Sequence, residues 1–192
     1  GIELEVDDII VTIAGSEAVT FAMMVAANEG DEIIVPEPFY TNYNGFATMA
    51  SITIKPITTY AENGFALPSD EEFEKLIGPK SRAIMLCNPG NPTGSVYSRE
   101  DLERVAALCK KHNLFLISDE VYREFVYDGL KHTSVLEIPG LEEHAIMVDS
   151  VSKRYSACGA RIGCIVSRNK ELMAATLKFA QARLCPPTVD QL

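Results

Sequence analysis

The chain has 192 residues, 47% of them hydrophobic, which suits one sizeable domain with a buried core. Seventeen basic residues against twenty-seven acidic ones leave a formal charge of −10, so neither nucleic acid nor an anionic membrane is an expected partner and any anion must be held locally. No apolar run approaches the ~20 residues of a membrane span, no signal-type N-terminus is present, and five cysteines without a CxxC pair indicate neither a disulfide framework nor a zinc knuckle. A cytoplasmic protein with mostly buried thiols is expected.

In chain order, short apolar runs alternate with longer segments of helical period. The runs "DIIVTIA" (8–14), "EIIVP" (32–36), "ITIKPI" (52–57), "RAIMLCN" (82–88), "LFLISD" (114–119), "AIMVDS" (145–150) and "IGCIVS" (162–167) predict seven strands, several without strict alternation, as strands covered on both faces should be. Three- and four-residue spacing predicts helices over 16–30, 70–78, 98–113 and 169–184. Ser98 and Asp101 read as a capping pair, and Gly30 and Gly78 as helix stops. Met23 and Met24 read as helix core, and Asp7, Asp8 and the acids of "EEFEK" as solvated charge. The alternation predicts a three-layer α/β/α domain with a mainly parallel, seven-stranded sheet, whose ligands belong at the carboxyl ends of the strands. The chain opens almost at once on a strand and stops just after a helical segment, so residues 1–192 are expected to be one domain cut from a longer protein.

Polar residues interrupt the apolar pattern at just those strand ends. "AGSEA" (14–18) sets Gly15 and Ser16 between a strand and a helix start, where free backbone amides suit either a phosphate or a plain helix cap. "CNPGNPTG" (87–94) builds a rigid turn that presents the Asn91 amide. Asp119 closes a strongly apolar strand, where a carboxylate needs a partner, and Tyr122 follows three residues on. "DSVSKRYSACGARIG" (149–163) joins Lys153, a potential Schiff-base amine, to Ser150, Ser152 and Arg161, a set of donors for an anion. His112, His132 and His144 share no metal-like spacing and read as surface or capping residues, with no metal expected.

Together, "GSEA", "PEPFYTNY", "NPGNPTG", "SDEVY" and "SxSK" followed by an arginine resemble the large domain of fold-type I pyridoxal-phosphate enzymes, in the class I/II aminotransferase family that includes aspartate aminotransferases. The resemblance implies pyridoxal 5'-phosphate as cofactor. Lys153 resembles the lysine that holds it as a Schiff base, and Asp119 the carboxylate that pairs with its ring nitrogen. Asn91 and Tyr122 resemble the pair on its phenolic oxygen, and Tyr40 the aromatic residue stacked on its ring. Gly15, Ser16, Ser150 and Arg161, with Ser152, resemble phosphate-binding positions. The implied activity is amino transfer between an amino acid and a 2-oxo acid, aspartate with 2-oxoglutarate favoured, by a homodimer. The same anchors also suit a carbon–sulfur lyase, an aminocyclopropane-carboxylate synthase or a non-catalytic module of a regulator. The family's N-terminal segment and C-terminal small domain, with its substrate-binding arginine, have no counterpart here, and Arg183 is no clear substitute.

Overall fold

A computed structural model describes all of residues 1–192. Seven strands form one sheet: β1 (Ile9–Ile13), β2 (Glu32–Glu37), β3 (Thr53–Thr58), β4 (Ser81–Cys87), β5 (Phe115–Asp119), β6 (Ala145–Ser150) and β7 (Ile162–Val166). Their order is β1-β7-β6-β5-β4-β2-β3. β7 lies antiparallel to both β1 and β6, while the pairs β2–β3, β2–β4, β4–β5 and β5–β6 are parallel. Six strands therefore point one way and β7 the other. The reversal brings the residue that opens β7 to the same edge as the ends of its neighbours.

The helices are α1 (Ala14–Ala26), α2 (Asn42–Met49), α3 (Asp70–Leu76), α4 (Arg99–His112), α5 (Val151–Arg154) and α6 (Lys170–Arg183). Alternate residues of each strand feed opposite cores. Ile33, Val35, Met85, Ile117, Ile146 and Val148 pack with α1, α2 and α6, whereas Ile34, Ile84, Leu86, Leu116 and Met147 pack with α3 and α4. The two cores hold 21 and 20 buried residues, so both faces are covered, which is why these strands show unbroken apolar runs.

All seven expected strands and four expected helices form, with ends displaced by a few residues. The Ser98–Asp101 capping box is present, and Ser69 with Glu72 makes a second at the head of α3. Gly30 turns the chain with φ +79° four residues past α1, but Gly78 is no left-handed stop; α3 ends through Ile77 in extended backbone. Asp7 is exposed as expected, and Asp8 is not. Asp8 is buried, accepts from the Glu5 amide at 2.9 Å and pairs with Lys170 at 2.6 Å, which pulls its carboxyl below the ordinary carboxylate range. Met24 is exposed while Met23 is fully buried. Of the cysteines, Cys109 is buried, Cys87 and Cys164 are half-buried, and Cys158 and Cys185 lie on the surface. His132 is no surface group: its Nε2 sits 3.1 Å from the fully buried Glu120 carboxylate.

Candidate active site

All ten residues singled out from the sequence, Gly15, Ser16, Tyr40, Asn91, Asp119, Tyr122, Ser150, Ser152, Lys153 and Arg161, line one cleft of ≈ 320 Å³ at the carboxyl edge of the sheet. The volume lies in the range of small-ligand and cofactor sites. Ala14, Val19, Tyr43, Phe46, Cys87, Val121 and Cys158 complete the lining.

Each side chain arrives by a short path from a strand. Asp119 is the last residue of β5, and its backbone carbonyl accepts from the Asn88 amide at 2.9 Å, tying β5 to the loop that carries Asn91. That loop is closed on itself. The Gly90 amide donates to the Ser95 carbonyl at 2.8 Å, the Tyr97 amide to Asn88 Oδ1 at 2.9 Å, and a Cβ on Gly90 would press 2.7 Å from Ser95 Oγ. Tyr122 sits in the turn after β5, its ring edge-on to Phe125 with centroids 5.8 Å apart.

At one end of the cleft the chain forms an anion cradle. Ser150 ends β6 and caps α5; its hydroxyl donates to the Ile162 carbonyl at 2.9 Å, accepts from the Ser152 amide at 3.1 Å and meets Ser152 Oγ at 2.8 Å. α1 points its N-terminal turn here, with the leading amides free of intrahelical acceptors. The Ala14 amide donates to the Arg161 carbonyl at 2.8 Å, and both residues are left-handed, at φ +58° and +56°. Two such non-glycine residues store roughly 2–4 kcal/mol of backbone strain at this point. Gly163 permits the approach: a Cβ there would lie 2.7 Å from the Ala14 carbonyl oxygen and the Gly15 nitrogen.

Charge in the cleft is arranged against the overall −10. None of the chain's salt bridges includes Lys153 or Arg161, whereas their neighbour Arg154 is committed to Asp149 at 2.5 Å and shares it with Arg123 at 3.3 Å. Lys153 is exposed at the rim, its Nζ 5.9 Å from the centroid of the Tyr122 ring. Arg161 Nη1 donates to the Cys158 carbonyl at 3.0 Å, which leaves most of its guanidinium donors open.

The closed end is acidic. Asp119 Oδ2 accepts from the Tyr43 hydroxyl at 2.7 Å and Oδ1 from the Val121 amide at 3.2 Å. Burial pushes its carboxyl up to about 6; the Tyr43 and Val121 hydrogen bonds oppose the rise, and the charges of Asp149 and Glu120 add to it. Burial and the adjacent Asp119 hold the Tyr43 phenol well above its ordinary range, and burial likewise keeps Cys87 a thiol.

Two contributors were not identified from the sequence. Tyr43 falls in "PEPFYTNY" three residues after Tyr40, and its helical spacing was the available signal. Glu120, beside Asp119 in the chain, turns away from the cleft and accepts from Ser134 Oγ at 3.0 Å and the Val135 amide at 2.9 Å, pinning the segment after Tyr122. Arg183 does not line the cleft; from the end of α6 it grips Glu17 in the first turn of α1 at 3.1 Å and the Val11 carbonyl of β1 at 3.0 Å, so it is committed to bracing these elements.

This donor set fits pyridoxal 5'-phosphate: an open amine, an anion cradle, a buried acid and aromatic side chains in one cleft. The sequence model described as aminotransferase class I and II matches residues 1–191. A putative aminotransferase of Bacillus subtilis is 35% identical over 186 residues, covering 96% of this chain and 47% of that protein. An arginine–pyruvate transaminase of Pseudomonas aeruginosa is 37% identical over 158 residues, covering 82% of this chain and 40% of that one. The crystal structure of an aspartate aminotransferase from Thermotoga maritima superposes with a TM-score of 0.92 at 34% identity, covering 98% of this chain and 50% of its own. The chain spans about half the length of these relatives. With a match across nearly every residue and a cleft built from the expected side chains, the chain belongs to the class I and II aminotransferase family.

Proposed function

We propose that this chain is the large, cofactor-binding domain of a pyridoxal-phosphate-dependent aminotransferase, working as a homodimer on an amino acid and a 2-oxo acid. The observation that carries the reading is the convergence on one cleft of an amine and a guanidinium without carboxylate partners, together with a buried acid.

When bound, pyridoxal phosphate supplies an electrophilic aldehyde and an electron-accepting ring. Lys153 is the amine assigned to the aldehyde, and once released it carries a proton on Nζ as general base and then acid. Asp119 holds a proton at the ring nitrogen. Asn91 and Tyr122 donate to the phenolic oxygen, and Tyr40 covers the ring face and excludes water from it. The Gly15 and Ser16 amides, the Ser150 and Ser152 hydroxyls and Arg161 grip the phosphate, whose double charge suits the helix head and the guanidinium.

Aspartate is the favoured donor, supported by the name of the Thermotoga relative, with 2-oxoglutarate as acceptor. After borohydride reduction of the full chain with pyridoxal phosphate, mass spectrometry is expected to find the cofactor on Lys153, and K153A is expected to carry none. Labelling that persists in K153A overturns the assignment. A donor and acceptor panel then separates amino transfer, which requires a 2-oxo acid, from elimination by a lyase, which does not.

A further inference from the structure

Tyr43 lines the cleft and touches two of its other lining residues, Asp119 and Tyr40. It is fully buried in α2, and its hydroxyl donates to Asp119 Oδ2 at 2.7 Å across 76 residues of sequence. The other carboxylate oxygen accepts only from the Val121 amide, so Tyr43 is the one side chain that donates to Asp119. Its ring meets Tyr40 edge-on, with centroids 5.5 Å apart and planes at 88°, and lies against Phe39 on the other side at 6.1 Å. The Tyr43 amide also donates to the Tyr40 carbonyl at 3.0 Å, so the two tyrosines are set by a single turn of backbone.

We propose that Tyr43 is a positioning residue: one buried phenol fixes the carboxylate that meets the edge of the cofactor ring and backs the tyrosine that covers its face. The inference rests on the pyridoxal-phosphate reading. A phenol in this setting keeps its proton, so it contributes a hydrogen bond and not an acid. That bond favours the ionised form of Asp119. Without it the carboxyl competes more strongly for the proton it shares with a ring nitrogen, and the ring is a weaker electron acceptor.

The test is Y43F in the full chain with ¹³C-labelled aspartate, the Asp119 resonance being assigned by its loss in D119N. In the cofactor-free protein, the Asp119 midpoint is expected to rise by about one pH unit, tenfold in the ionisation equilibrium. In the loaded protein, the resonance of a ¹⁵N-labelled ring nitrogen is expected to move toward its neutral position, and kcat to fall with KM for the amino acid within about twofold. A folded Y43F with an unmoved Asp119 midpoint overturns the proposal even if the cofactor binds normally. Failure of the wild-type chain to take up pyridoxal phosphate would instead overturn the cofactor reading, and with it the role assigned here. Should Y43F not fold, 3-fluorotyrosine at position 43, a stronger donor, decides the matter: the Asp119 midpoint is expected to fall, and an unchanged midpoint overturns the proposal.

Discussion

Asp119 shows at the scale of one residue how a binding site is kept against the interest of the empty fold. Its carboxyl lies near 3.8 in an unfolded chain, and burial pushes it up to about 6 in the folded one. The folded state therefore holds the extra proton between those values, and stability falls as pH rises from about 4 to about 6. Above that window the cost is on the order of 2–3 kcal/mol. D119N, neutral throughout, is expected to stabilise the cofactor-free protein by roughly 2 kcal/mol at pH 8 and by almost nothing below pH 4. Urea unfolding at the two pH values measures this, and an equal effect at both would remove the explanation. A cation presented to Asp119 offsets the same cost, so cofactor binding and recovered stability are linked.

Several of these residue-scale features cannot be seen from sequence because the partner is distant in the chain. Asp119 was legible as an acid at a strand end, but its donor Tyr43 lies 76 residues earlier. Asp8 reads as one of two solvated acids until Lys170, 162 residues on, is brought beside it. Glu120 is adjacent to a site residue and faces the other way, because successive residues at a strand end point to opposite sides of a sheet.

Among the elements, strands were the most readable: the inner strands are covered on both faces and carry runs such as "AIMLC" of β4 and "AIMVDS" of β6, while edge strand β3, "TIKPIT", was marked by its bounding residues. α4 announced itself by its Ser98 cap and its periodic Leu102, Val105, Ala106 and Cys109. α2 did not. "NYNGFATM" carries Gly45 and polar residues of poor helix propensity, and it is helical because Tyr43 and Ala47 bury against the sheet. α5 is too short for any periodicity to show. At this scale the sharpest prediction concerns the packing of α1 on β7. G163A inserts a methyl group against the backbone of Ala14 and Gly15, and is expected to lower stability by roughly 1–3 kcal/mol and to weaken cofactor binding by displacing the head of α1. G159A, where a Cβ meets nothing within 4 Å, is the control and is expected to bind normally. Equal cofactor titrations for the two variants would show that the close approach is dispensable.

For the whole molecule, layer order and site position were legible because a doubly wound sheet confines its ligands to one edge. The reversal of β7 was not, since strand direction leaves no mark on composition. The relatives are about twice as long as this chain, and its cleft leaves Lys153 exposed at the rim, open to water. On the proposed reading of these residues as the large domain of a longer aminotransferase, the 192 residues alone are expected to take up pyridoxal phosphate and to transaminate at least a hundredfold more slowly than that longer enzyme, about 3 kcal/mol in barrier. Matched single-turnover assays on the two proteins check this, and comparable rates would contradict it.

The pairing of β1 with β7 has a consequence in time. Residues 9–13 have no other strand to join than residues 162–166, and the bond from Ala14 to Arg161 depends on that pairing. During synthesis the leading segment must wait, unpaired, until more than four-fifths of this stretch has left the ribosome. The corner of the cleft that Ala14 and Arg161 share therefore closes only after both strands have emerged.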